Sequence, residues 1–274
     1  MEWEAELSTL GIPHATLARA SATARATPPI AQPIVPVPHE SHGAAHAREQ
    51  QAPSPQPQAP SARPQAPNPQ SQAPSPQQQG RDVPPTGVPA EKRARLAVLD
   101  QEARGCARCE LAKGRTHTVF ARGNPDSPIA FVGEGPGQEE DRAGSPFVGP
   151  AGQLLDKMVG AMGFARDDVY ICNVVKCRPP GNRTPLPVEA QACAPYLLGQ
   201  LEAVRPRIIV ALGRCAAENM GLVGAGGWRG RWGKFQGVDV MPTYHPAFLL
   251  RSPEYKRPVW EDLQQVMARL KQPG

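Results

Sequence analysis

Thirteen of the chain's fourteen aromatic side chains, all but Trp3, lie after residue 90. Large apolar side chains are what offset chain entropy on folding, so the ordered core belongs to the C-terminal two-thirds. What precedes it is different in kind. From about residue 27 to 89 the text is Pro, Gln, Ala and Ser, with QAPSPQ at 51–56, QAPNPQ at 65–70 and QAPSPQ again at 72–77. Such a segment has too little apolar surface to pack and is expected to be extended, in part polyproline II. Residues 1–90 therefore read as a disordered low-complexity extension, with a short helix-compatible pattern near residues 2–10 (Trp3, Leu7, Leu10). His39, His42 and His46 within it read as solvated tail residues. Residues 91–274 read as the folded domain.

Charge divides the same way. Residues 1–90 carry five Arg and six Asp or Glu, and the remainder holds 25 basic against 19 acidic side chains, a net of +6. The basicity of the folded part suits a polyanion partner such as nucleic acid. No run of about 18 apolar residues is present to span a bilayer. The start MEWEAEL lacks the basic and apolar regions of a signal peptide. The expectation is a soluble, cytoplasmic protein with no membrane partner, in a reducing compartment where grouped cysteines mean metal or redox chemistry more often than disulfides.

After a helical run at 90–105, short apolar stretches alternate with helical patterns. The stretches are IAFVGEG (129–135), VYICNVV (169–175), RIIVALG (207–213) and VDVMPTY (238–244). The helical patterns cover 151–163, 188–204 and about 258–270. Apolar strands without polar alternation are what a parallel sheet buried on both faces produces. The predicted fold is a three-layer α/β/α sandwich around a short, mainly parallel four-stranded sheet. Ligands are then expected beyond the carboxyl ends of the strands. GEGPG, Asn173 to Arg178, Gly213 and YHPAFLLR all fall on that one edge.

The six cysteines sort by position. Cys106 and Cys109 form C-x-x-C, and Cys177 and Cys193 flank a basic, proline-rich loop. Four such thiols suit either zinc or an iron–sulfur cluster, and spacing alone leaves both open. Cys172, in an apolar strand, and Cys215, opening a helix, read as small buried hydrophobes.

Four blocks carry a resemblance. C-A-R-C with Arg115 and Thr116, VGEGPGQEEDRAGSPFVGPAGQLLDKM (132–158), YICNVVKCRPPGNRTP (170–185) with Cys193, and YHPAFLLR (244–251) stand in order from about residue 95 to the end. In these the chain resembles the family 4 uracil-DNA glycosylases, the iron–sulfur branch of their superfamily. The resemblance implies an α/β/α enzyme that hydrolyses the N-glycosidic bond of uracil in DNA, releasing uracil and leaving an abasic site. It implies a 4Fe–4S cluster on Cys106, Cys109, Cys177 and Cys193, and uracil-containing DNA as partner, bound by a monomer. Residues 1–90 have no counterpart in the pattern, and no partner follows for them.

The resemblance also implies roles. Phe147 stacks on the flipped pyrimidine, and an aromatic face accepts any flat ring. Asn173 selects uracil, because one carboxamide can accept from N3–H and donate to O4. His245 donates to O2 as charge develops on the departing base. Glu134 orients water or balances the sugar cation. Gly133 and Gly135 allow close backbone approach. Lys176, Arg178, Arg183 and Arg251 contact phosphates, and Leu249 and Leu250 wedge into the vacated stack. Two other readings compete. A covalent uracil-trapping relative needs a histidine in the loop after the second strand, and RPPGNRTP contains none. A non-catalytic iron–sulfur DNA-binding subunit has no use for Glu134, Phe147, Asn173 and His245 together.

Overall fold

The computed structural model describes residues 90–224 and 227–272. The low-complexity extension, the short helix expected near residues 2–10 and the three histidines lie outside the described residues. Among the described residues no helix is long and apolar enough to cross a membrane.

The four expected strands form the centre of the sheet: β2 (Ile129–Gly133), β3 (Tyr170–Asn173), β4 (Ile208–Leu212) and β6 (Val238–Thr243). All their mutual pairings are parallel. The sheet nevertheless has six strands, in the order β1-β3-β2-β4-β6-β5, so the expectation of four is corrected. β1 (Ala121–Gly123) and β5 (Gly233–Phe235) add antiparallel edges. Each is three residues long and only partly buried. Strands that short have no periodicity to detect, and exist because a neighbour offers them a free edge.

Strand alternation splits the core into two. Ala130 and Val132 of β2 face a cluster with Leu96 of α1 (Ala90–Arg104), Leu197 and Leu201 of α5 (Pro187–Val204) and Ala216 of α6 (Arg214–Asn219). Ile129 and Phe131 face the opposite cluster. It contains Leu155 and Met158 of α4 (Pro150–Ala161), Leu249 of α7 (Pro246–Leu249) and Leu263 of α8 (Lys256–Leu270). That is the three-layer sandwich. Two short helices complete the frame, α2 (Leu111–Gly114) and α3 (Gln138–Ala143).

The connections position the site. From β2 the chain passes through α4 on one face to β3, and then through α5 on the other face to β4, on β2's far side. Loops diverge to opposite faces at the carboxyl end of β2, which is where an open parallel sheet presents a crevice.

Candidate active site

A cavity of about 740 Å³ opens at this edge. Glu134 and Gly135 enter it from the loop after β2, Asn173 from the last residue of β3, and His245 from the turn after β6. Phe147 comes from the α3–α4 loop. Parallel register sets two of these side by side, because Gly133 is paired with Asn173. The expected catalytic set therefore shares one cavity, while Gly133 packs directly beneath it. A Cβ built on Gly133 would stand 2.4 Å from Asn173 Oδ1 and 2.6 Å from Phe147 Cζ. Only hydrogen leaves room there.

Phe147 is held in the left-handed region, with φ of 55°. A bulky residue adopts that backbone at a cost of roughly 1–3 kcal/mol, and keeps it only where the surroundings dictate it. They do so from three sides. Arg122 Nε donates to the carbonyl of Pro146 at 3.0 Å. Glu140 Oε1 accepts from the amides of Val148 and Gly149 at 3.0 and 2.9 Å. The carbonyl of Phe147 presses so close to Gly152 that a Cβ there would lie 1.9 Å away. Glu140 Oε2 also accepts from Gly137 N at 3.1 Å, so one carboxylate ties the GEGPG turn to the Phe147 loop. Sequence reasoning missed Glu140. Its signal was an acid in the first turn of a helix whose N-cap is a glycine.

Asn173 is 1% exposed, and its Oδ1 has no hydrogen-bond partner among the described residues. A buried acceptor without a partner costs about 1–3 kcal/mol, which a ligand N–H entering the cavity removes.

His245 caps α7: its Nδ1 accepts from Ala247 N at 3.1 Å. The ring proton therefore sits on Nε2, leaving a neutral donor. Burial pushes the imidazole down to about 4, helped by the charge of Arg251 and opposed by Glu140. The ring lies near-parallel to Phe147, with centroids 5.6 Å apart. Cys215 also lines the cavity, but burial and the charges of Glu134 and Glu218 push its thiol up to about 12. It stays protonated at neutral pH and is no nucleophile.

Two expected DNA contacts are corrected by burial. Lys176 is 1% exposed, and its ammonium donates to the carbonyl of Asn173 at 2.5 Å. Leu249 is fully buried in the core against α4 and α8. Neither side chain reaches the protein surface. Leu250, next in the chain, is 48% exposed. Arg251 and Arg183 line the cavity, Arg183 with its guanidinium bridged to Glu189 at 2.8 and 2.7 Å. Arg178 donates to Asn182 Oδ1 at 2.7 Å on the same exposed loop.

A second, smaller cavity is lined by Cys106, Cys109, Cys177 and Cys193 together. Among the described residues no group of three or more His, Cys, Asp or Glu is placed to hold a metal ion. A 4Fe–4S cluster is held by four Cys thiolates. Donors to sulfur are in place: Arg115 Nη1 reaches Cys177 Sγ at 3.3 Å, and Lys176 N reaches Cys193 Sγ at 3.3 Å. Burial pushes both thiols up, with Arg115 opposing it at Cys177 and Lys176 at Cys193. Thiolates there need a cationic partner.

Residues 120–264 match the model of the uracil DNA glycosylase superfamily. A type-4 uracil-DNA glycosylase of Thermotoga maritima is 44% identical over 187 residues, covering 65% of this chain and 96% of that protein. Its namesake from Archaeoglobus fulgidus is 43% identical over 178 residues, covering 61% and 88%. Another from Saccharolobus solfataricus is 41% identical over 186 residues, covering 64% and 86%. The chain belongs to the uracil DNA glycosylase superfamily and, within it, to the type-4 uracil-DNA glycosylases.

Proposed function

We propose that this protein removes uracil from DNA by hydrolysing the bond between the base and deoxyribose, and that Phe147, Asn173, His245 and Glu134 carry the reaction. One observation supports this most: a buried, unpartnered amide oxygen, a neutral imidazole with its proton on Nε2 and an aromatic ring share a single cavity at the strand ends.

The nucleotide leaves its stack and seats its base against Phe147, at a cost of a few kcal/mol in unstacking. Asn173 Oδ1 accepts from N3–H of uracil. Cytosine has no proton at N3 and would leave that oxygen unpaired, which is how a hydrogen-bonding site rejects a near-isostere. As the N1–C1′ bond breaks, its electron pair leaves with the base and spreads onto O2 and O4. His245 donates Nε2–H to O2, an interaction stronger in the transition state than in the bound substrate. The oxygen of a water molecule bonds to C1′, with Glu134 orienting it and accepting a proton that ends on the released base. The products are uracil and an abasic site.

The same reading gives Cys106, Cys109, Cys177 and Cys193 a 4Fe–4S cluster. When bound, the cluster supplies a structural cross-link and no step of the reaction. Residues 91–274 are the catalytic domain, working as a cytoplasmic, nucleoid-associated monomer on uracil-containing DNA. Leu250 fills the gap left by the extruded base, and Arg251, Arg178 and Arg183 face phosphates.

The test is product analysis on oligonucleotides containing one uracil. Free uracil and an alkali-labile strand are expected, with no cleavage of the same oligonucleotide carrying cytosine. An intact uracil strand after prolonged incubation with excess protein refutes the reading.

A further inference from the structure

Beyond the uracil pocket, four rings form a connected group. Tyr244 meets Trp228 edge-on at 5.6 Å, Phe248 at 5.1 Å and Tyr255 edge-on at 5.0 Å, and Phe248 meets Tyr255 at 5.0 Å. Tyr244 and Phe248 rest on the core beneath them. Trp228 and Tyr255 belong to neither core cluster, and Tyr255 keeps 36% of its surface exposed. The group therefore extends from the core into the open, where large rings facing water are unfavourable unless something covers them.

Its position indicates what covers it. Trp228, Tyr244 and Phe248 line the same cavity as Phe147, Asn173 and His245. A volume of about 740 Å³ lies well inside the range of pockets that enclose ligands of several rings, and one pyrimidine fills a minor part of it. The cations are also those of a nucleic-acid surface. Arg251 and Arg214 line this cavity, and the Arg229 guanidinium lies over the Tyr244 ring at 5.3 Å. Rings beside cations, continuous with a site that takes a flipped base, are the elements of a single-strand platform.

We infer that this aromatic group is a second base site, stacking the nucleobase next to the extruded uracil in single-stranded DNA. The inference rests on the uracil-excision reading and extends it to the shape of the substrate. In a duplex the neighbouring base stays stacked on its own helix. In a single strand it loses that stack when uracil leaves, and the rings of Trp228, Phe248 and Tyr255 replace it. Arg251 is placed to hold the phosphate between the two bases.

The test uses the full chain and three single-stranded oligonucleotides. Uracil is flanked by ordinary bases, or by a tetrahydrofuran residue, which has no base, on its 5′ or its 3′ side. Single-turnover release of uracil is followed against protein concentration. One of the two baseless neighbours is expected to raise the half-saturating concentration about 10-fold, as loss of one base–aromatic stack does. Trp228→Ala, and the milder Tyr255→Leu, should shrink that difference toward none. Equal half-saturation on all three oligonucleotides overturns the inference, as does an undiminished difference in both variants. The wild-type comparison needs no substitution, so misfolding of a variant cannot hide the answer. Release from none of the three alongside release from a duplex carrying the same uracil also overturns the inference, whereas release from neither form overturns the excision reading itself.

Discussion

His245 shows how one residue's surroundings select its chemical form. A histidine ordinarily titrates near 6.5, but burial first, and Arg251 second, push this one down to about 4. With Nδ1 occupied by Ala247 N, the ring keeps one proton, on Nε2, across the physiological range. The excision rate should therefore show no inflection near pH 6.5. An inflection there that vanishes in His245→Ala would contradict the neutral-donor role. The stability consequence has a definite sign. The unfolded chain binds the proton more readily, so the neutral ring's contribution is complete above about pH 6.5 and is lost as pH falls toward 4. In the proposed reading Asn173 complements it at N3–H of the base. His245→Ala and Asn173→Ala should each slow single-turnover excision by roughly 10²-fold or more, as removal of a transition-state hydrogen bond does elsewhere. Rates within a few-fold of wild type in both would remove the assigned roles. Their gathering at one cavity was legible in the sequence because motif and strand end coincide. Lys176 and Leu249 were misread for a physical reason: charge and apolarity say what a side chain is, whereas the turn after a strand decides which way it points.

At the scale of elements, the strand ends and the loop of cysteines are joined through one residue. Lys176 donates its backbone N–H to Cys193 Sγ and its ammonium to the carbonyl of Asn173. The cysteine loop therefore bears on the backbone that aims Asn173. Lys176→Met should lower both Tm and the excision rate, and an unchanged rate at reduced Tm would show that the link does not reach the pocket. The Phe147 loop depends likewise on Glu140, whose carboxylate accepts from three backbone amides. Glu140→Ala should weaken substrate binding by releasing a backbone held in a costly conformation, measured as a rise in half-saturating DNA concentration. The four central strands and the longer helices were readable because apolar runs and helical periods are long enough to register. The edge strands β1 and β5 and the network around Glu140 were not. Three residues carry no period, and a carboxylate's choice of amides depends on where two distant loops meet.

For the whole molecule, the proposed reading assigns the chemistry to the strand-end cavity and cohesion to the cysteine-lined one. The purified protein should be brown, with broad absorbance near ~400 nm from thiolate-bound iron. Colourless protein with stoichiometric zinc would overturn the cluster assignment. The architecture was the most legible level of all, because doubly wound sheets place their loops by rule, and the resemblance in four ordered blocks pointed to the same edge. The central claim is that neighbouring strand ends build one uracil pocket. A crystal structure with free uracil bound tests it most directly. The base should lie against Phe147, with N3 at Asn173 Oδ1 and O2 at His245 Nε2. Uracil bound elsewhere, or in that cavity without touching Asn173 or His245, would contradict it.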